Sequence, residues 1–83
     1  MSSGFVIRQN QYYDSLVLMR IASSLSCEPG VTQAAVLMAT DTNKSLLAEI
    51  GFDQDDIRSA KPNDLVVALI AADSSIVDHL LAG

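Results

Sequence analysis

Two runs of consecutive apolar residues constrain the fold of this chain more than any other feature. They are AAVLMA at residues 34–39 and LVVALIA at residues 65–71. An uninterrupted apolar run is typical of a strand covered on both faces, because a strand with one face in solvent alternates apolar and polar residues. A shorter β-prone run lies at residues 5–8. The sequence therefore predicts three strands, at residues 5–8, 31–39 and 65–71.

Helical patterns alternate with these strands. The apolar residues that recur at helical spacing are Leu18, Ile21, Ala22 and Leu25, then Leu46, Leu47 and Ile50, and finally Ile76, Val77, Leu80 and Leu81. Gly51 stands where a left-handed residue ends a helix, so that Phe52 can pack back on Leu47. The acidic segment that follows is predicted to be a solvated turn. The predicted order is β-α-β-α-β-α.

This order fits two architectures. One is an α+β fold, a small ferredoxin-like sandwich without its last strand, and the other is a three-stranded parallel α/β sheet. We favour the first. A chain of 83 residues allows one domain, which buries only about 60% of the surface that its unfolded chain exposes. Three short strands and three short helices can hardly enclose two apolar strands, so we expect an unfinished sheet edge and an uncovered apolar surface.

The first predicted helix, at residues 14–26, carries two apolar residues away from its core stripe. Leu16 and Met19 lie beside Arg20 and Ser23, where a solvated helix would carry polar side chains. We therefore predict that Leu16 and Met19 form an interface, either with later domains of a longer polypeptide or with a second copy of the chain.

Charge and cysteine content exclude several classes of protein. The formal net charge is −5, and the five basic residues are scattered along the chain, which argues against a nucleic-acid or membrane partner. Cys27 is the single cysteine, so an internal disulfide and a multi-thiolate metal site are both excluded. A single free cysteine suits the cytoplasm, where we predict the protein to reside. No apolar stretch reaches the length of a membrane span.

The segment TDTNK at residues 40–44 is the best candidate for a ligand site. It lies between the second strand and the second helix, where free backbone N–H groups donate hydrogen bonds either to a capping side chain or to an anion. Lys44 opposes the helix dipole there unless an anion is bound. No nucleotide-binding glycine motif is present, so only a small anion would fit. The candidate anion-binding residues are Thr40, Thr42, Asn43 and Lys44.

No catalytic residue and no metal ligand set is predicted. His79 is the single histidine and lies opposite the apolar stripe of the last helix, where we expect it to face solvent. The acidic residues at 53–56 lack the spacing of a calcium loop. The serines have no histidine in a nucleophile-elbow pattern.

Three segments together resemble the opening of the FdrA family, whose members are similar to acyl-CoA synthetases of the succinyl-CoA synthetase type. The segments are YYDSLVLMRIASSLS at residues 12–26, VTQAAVLMATDTNKSLLAEIGF at residues 31–52 and KPNDLVVAL at residues 61–69. The residues that fit the family pattern best include Asp14, Ser15, Thr40, Asn43, Lys44, Asn63 and Asp64.

The resemblance implies an N-terminal module ahead of nucleotide-fold domains. In the synthetases such domains hold CoA and a phosphorylated histidine, and some FdrA members are linked to oxamate carbamoyl transfer. The CoA-binding turn and the active histidine would lie beyond residue 83, so CoA or nucleotide is expected only in later domains. Two hypotheses follow, namely a non-catalytic docking module of an FdrA-like enzyme and a small-anion-binding regulatory module.

Overall fold

The computed structural model describes residues 1–82 and confirms the predicted alternation of strands and helices. In chain order the elements are β1 (Ser2–Arg8), α1 (Ser15–Ser26), β2 (Val31–Met38), α2 (Asp41–Glu49), α3 (Asp55–Ser59), β3 (Leu65–Ala71) and α4 (Ser74–Leu81). The short helix α3 is an addition, because it forms inside the acidic segment that the sequence predicted as a turn. β1 also begins three residues earlier than predicted.

The three strands form one sheet in the order β1-β3-β2, and both neighbouring pairs are antiparallel. The ferredoxin-like α+β architecture is therefore confirmed, and the alternative of a parallel sheet is wrong. β1 pairs with β3 without interruption from Ser2 opposite Ala71 to Arg8 opposite Leu65. The pairing of β2 with β3 instead shifts register between Val31 and Gln33.

The long helices begin where short polar side chains bind the first free N–H groups. Asp14 accepts a hydrogen bond from the backbone N–H of Val17, and Asp73 accepts one from that of Ile76. Such a cap stabilises a helix by about 1 kcal/mol. At the C-terminal end of α2, Gly51 adopts a φ of 98° and the Phe52 N–H donates to the Leu47 carbonyl at 2.8 Å. This geometry confirms the helix end predicted from the Gly51-Phe52 pair.

Helices α1 and α4 cover one face of the sheet. The predicted stripe of α1 packs on β2 and β3 through Leu18, Ile21, Ala22 and Leu25 against Val36, Met38 and Leu65. α4 lies over β1, where Val77 and Leu81 approach Gly4. Leu25 of α1 and Leu81 of α4 line a common cavity, so both helices lie on the same side.

The segment with α2 and α3 covers the opposite face. Its buried residues are Leu47, Phe52, Ile57 and Ala60, which pack with Val66 and Ala68 of β3. Phe52 also meets Phe5 of β1 edge to face, with ring centroids 6.5 Å apart. As a result β3 is covered on both faces. The apolar surface that we expected to be uncovered therefore does not include β3, because the acidic segment folds back over the sheet instead of looping into solvent.

Within residues 1–82, no helix has the length and apolar character needed to cross a membrane.

Candidate functional surfaces

Asp64 joins two loops at one end of the sheet. Its carboxylate accepts hydrogen bonds from the backbone N–H groups of Lys61, at 2.9 Å, and Asn10, at 3.0 Å. These two bonds, in that order, hold the pKa of the Asp64 carboxyl below its ordinary value. Asp64 is buried, and Asn10 adopts a left-handed conformation with φ at 55°. No local pattern in the sequence indicates the bond to Asn10, which lies 54 residues away.

Lys44 binds the end of a neighbouring helix. Its ammonium group donates a hydrogen bond to the backbone carbonyl of Arg58, at 2.9 Å. Arg58 lies in the last turn of α3, where carbonyl groups are free and a positive charge is favourable. This contact gives Lys44 a structural role that does not require a bound anion.

The other three predicted anion-binding residues lie together at the start of α2. Thr40 is the N-cap and accepts a hydrogen bond from the Asn43 N–H at 3.3 Å. The Asn43 side chain donates to the Met38 carbonyl at 2.9 Å, and Thr42 is exposed. The capping prediction is thus confirmed for Thr40. An anion bound at this turn stays a prediction.

A cleft of about 630 Å³ runs along the outer edge of β1. Phe5 and Ile7 of β1 form one wall, and Asp56 and Ser59 of α3 form the other. Asp64 and Lys61 also line the cleft. The cleft therefore follows the free edge of the sheet, between that edge and the helix of the acidic segment.

The outward side of α1 is the second open surface. Leu16 is 60% exposed and Met19 is 66% exposed, although α1 packs its opposite side on the sheet. The two residues are three apart and so lie on neighbouring positions of one helix face. We refer to Leu16 and Met19 as the α1 outer surface. Their predicted exposure is confirmed, whereas their role as an interface stays a prediction.

The residues capable of nucleophilic or metal chemistry are dispersed. Cys27 is exposed just after α1. His79 is exposed on α4, which confirms the prediction for His79. His79 and Glu28 border a shallow pocket of about 270 Å³ that Cys27 does not line. Nowhere in residues 1–82 do three His, Cys, Asp or Glu side chains come together as a metal site would require.

The fold and its surfaces define a ferredoxin-like α+β domain with an open sheet edge and an exposed apolar helix face. Comparison with known proteins identifies the family. The chain matches the family described as "AllF, heavy metal-associated domain" over residues 1–83, and it belongs to that family.

A relative in Escherichia coli (strain K12) is the uncharacterized protein YahF. It is 36% identical over 81 residues, which cover 98% of this chain. The chain spans only 16% of the length of YahF. No solved structure matches the chain.

The family description implies a heavy metal, but the residues of this chain do not fit one. Soft metals such as Cu(I) are held by several thiolate or thioether ligands, and zinc sites use sets of three or four Cys, His or carboxylate ligands. The chain has one cysteine and one histidine, and no such set is assembled in the part that the structure describes. Residues 1–82 therefore show no donor set for a heavy metal.

Proposed function

We propose that this chain is a non-catalytic docking domain of a longer, FdrA-like protein, and that the α1 outer surface contacts other domains of the same polypeptide. The observation that carries the proposal is the exposure of Leu16 and Met19 on a helix that is otherwise anchored to the core. Covering both side chains would contribute about 2–4 kcal/mol, by the usual area relation for apolar burial. That free energy is enough to hold two domains already joined by a linker.

Membership of the AllF family and the length of YahF support a longer polypeptide. This region makes up only 16% of the length of YahF, which is 36% identical to it, so the rest of YahF can contain other domains. The resemblance of residues 12–69 to FdrA proteins supports an acyl-CoA synthetase-type or carbamoyl-transfer reaction in those domains. CoA or a nucleotide would be bound there, and the whole protein would work in the cytoplasm.

The electrostatics of the chain favour a protein surface as the partner. The net charge of −5 opposes association with nucleic acid or with an anionic membrane. Around Leu16 and Met19 the neighbouring helix positions carry Arg20 and Ser23, giving an apolar centre with a polar border. This composition is typical of contacts between domains.

The proposal is tested by placing charge on the α1 outer surface. In the longer polypeptide, the double variant Leu16→Glu/Met19→Glu should release this domain, seen as faster cleavage of the linker by a protease. The matched control is Leu46→Glu, since Leu46 is an exposed leucine on α2, on the opposite side of the sheet. Equal cleavage of both variants and the parent would refute the docking role. Loss of a dimer in the double variant, with unchanged cleavage, would assign the surface to a second copy instead.

A further inference from the structure

A cavity of about 220 Å³ lies between α1 and α4 on the face of the sheet that these helices cover. Its floor is the cross-strand pair formed by Val6 of β1 and Val67 of β3, and both valines are only partly buried. Its walls include Leu25 of α1 and Leu81 of α4. The two helices therefore leave a gap above β1 and β3.

The side chains of the two helices do not fill this gap. α1 has no buried residue, although its stripe with Ile21 and Leu25 packs on the sheet. Protein interiors are packed about as densely as organic crystals, so a gap of this size is large for so small a domain. An apolar group that entered the gap would leave water without forcing the core to rearrange, which favours its binding.

Three polar side chains also line the cavity, namely those of Arg8, Gln11 and Tyr13. Arg8 lies on the same face of β1 as Val6, because side chains two residues apart on a strand point to the same side. The Tyr13 hydroxyl donates to the side-chain oxygen of Gln11 at 3.5 Å, so this bond does not use the amide N–H groups of Gln11. All three residues belong to the last position of β1 or to the loop before α1, which places the polar groups at one end of the cavity.

Arg8 gives this polar end a positive charge. Among the described residues that line the cavity, Arg8 is the only charged one. It is partly buried, and within residues 1–82 the ion pair joins Arg58 to Asp55 and does not include Arg8. A guanidinium group binds a carboxylate through two parallel hydrogen bonds. A single carboxylate would balance the charge of Arg8, whereas a phosphate monoester would bring a second negative charge without a partner.

We propose that this cavity binds a short aliphatic monocarboxylate, with its carboxylate on Arg8 and Gln11 and its hydrocarbon chain between α1 and α4. A volume of about 220 Å³ holds about seven groups of the size of a water molecule, which corresponds to a chain of about six carbons. The site is independent of the docking role. α1 lines it with Ile21 and Leu25, which lie on the side of the helix opposite to the α1 outer surface.

An NMR titration of the chain with hexanoate tests the site. We expect saturating shifts of the methyl groups of Val6, Val67, Leu25 and Leu81, with a Kd on the order of 1 mM or below. Two further probes separate the two parts of the ligand. Acetate has the charge without the hydrocarbon chain, and hexanamide has the hydrocarbon chain without the charge. Each should bind at least about 10-fold more weakly than hexanoate.

A substitution at Arg8 tests the contact with the carboxylate. Arg8→Gln should weaken hexanoate binding by about 10- to 100-fold, because a charged hydrogen-bond donor is lost. It should leave hexanamide binding unchanged, since the apolar part of the cavity is kept. The matched control is Arg20→Gln, because Arg20 is an exposed arginine of α1 that does not line the cavity. This variant should bind hexanoate as the parent does.

Four outcomes would overturn the proposal. The first is the absence of saturating shifts up to about 10 mM hexanoate. The second is a set of shifts confined to Thr42, Asn43 and Lys44, which would assign hexanoate to the start of α2. The third is acetate or hexanamide binding as tightly as hexanoate, and the fourth is equal hexanoate affinity of Arg8→Gln and the parent. The comparison of the three probes uses the parent chain, so it decides the proposal whatever Arg8→Gln does to folding.

Discussion

Val77 of α4 packs directly against Gly4 of β1. A Cβ atom on Gly4 would lie 2.6 Å from Cγ1 of Val77 and 3.3 Å from Cδ1 of Leu81. The absence of a side chain at position 4 therefore lets α4 approach β1 closely. This contact fixes α4 above β1 and so places the end of the helix beside the free edge of the sheet.

Substitution of Gly4 should loosen this contact. We expect Gly4→Ala to lower the free energy of unfolding by about 1–3 kcal/mol, the usual cost of adding a methyl group to a packed site. Urea denaturation of the 83-residue chain measures the change. Ser3→Ala is the control, since Ser3 is exposed on the same strand, and it should stay within about 0.5 kcal/mol of the parent. Equal stability of the two variants would contradict the close contact.

Asp64 should make the stability of the chain depend on pH. Its pKa is lower in the folded chain than its ordinary value of 3.8, because the N–H groups of Lys61 and Asn10 bind the carboxylate. The stabilisation is therefore present above pH 4 or so and is lost as the pH falls through the folded-state pKa. We expect Asp64→Asn to be less stable than the parent at pH 7 and to lose less stability on acidification.

Urea denaturation between pH 7 and pH 2 measures this difference. Asp73 provides the control, because its carboxyl also has a pKa below the ordinary value. The Ser75 hydroxyl and then the Ile76 N–H lower that pKa. Asp73→Asn should remove only the part of the acid-induced loss of stability that comes from Asp73, and it should leave the part that comes from Asp64. Parallel pH curves for Asp64→Asn and the parent would show that the Asp64 bonds do not stabilise the fold.

Lys44 should stabilise α3 rather than its own helix. We expect Lys44→Gln to lower the free energy of unfolding by about 0.5–1.5 kcal/mol, because the Arg58 carbonyl loses a charged donor. The matched control is Lys61→Gln, since the hydrogen bond from Lys61 to Asp64 comes from the backbone N–H, which the substitution keeps. Thermal denaturation of both variants measures the difference. A larger effect at Lys61 than at Lys44 would contradict the structural role of Lys44.

Lys44 also belongs to the predicted anion-binding site at the start of α2, and a titration tests that site. Titration of phosphate and carbamoyl phosphate, followed through the backbone amides of Thr42, Asn43 and Lys44, should give saturating shifts if the start of α2 binds small anions. Lys44→Gln should then weaken binding. Unchanged amides at millimolar anion would remove the anion-binding alternative and leave the capping role of Thr40 as the function of this turn.

The chain should not respond to soft metals as its family description suggests. With one cysteine and one histidine, we expect Zn²⁺ or Cu(I) at tenfold excess to leave the unfolding temperature unchanged, because a ligand stabilises only in proportion to its binding of the folded state. Cys27→Ala is the control for weak binding at the single thiol. A stabilisation of several degrees that survives Cys27→Ala would reveal ligands that the residues do not indicate.

The sequence predicted what is local or periodic. Four features follow from spacing along the chain, and all four are confirmed. They are the strands, the apolar stripe of α1, the helix end at Gly51, and the exposure of Leu16 and Met19. The fold class was also correct, because apolar runs alternating with helices allow few arrangements.

What the sequence did not predict depends on contacts between distant segments. The acidic residues of α3 are typical of a solvated loop, and only the burial of Ile57 and Ala60 against the sheet explains why this segment covers β3. The bonds from Lys44 to Arg58 and from Asn10 to Asp64 likewise join residues 14 and 54 positions apart. No local pattern specifies such partners.

The most direct test of the docking role is the oxidation of the three methionines by hydrogen peroxide, followed by mass spectrometry. Met19 is 66% exposed. Met1, at 88%, is an exposed reference in the same chain, and Met38, at 6%, is a buried one. In the 83-residue chain Met19 should oxidise nearly as fast as Met1. In the full-length polypeptide we predict that Met19 becomes nearly as slow as Met38 while Met1 stays fast, and a Met19 that stays as reactive as Met1 would contradict the docking of α1 against other domains.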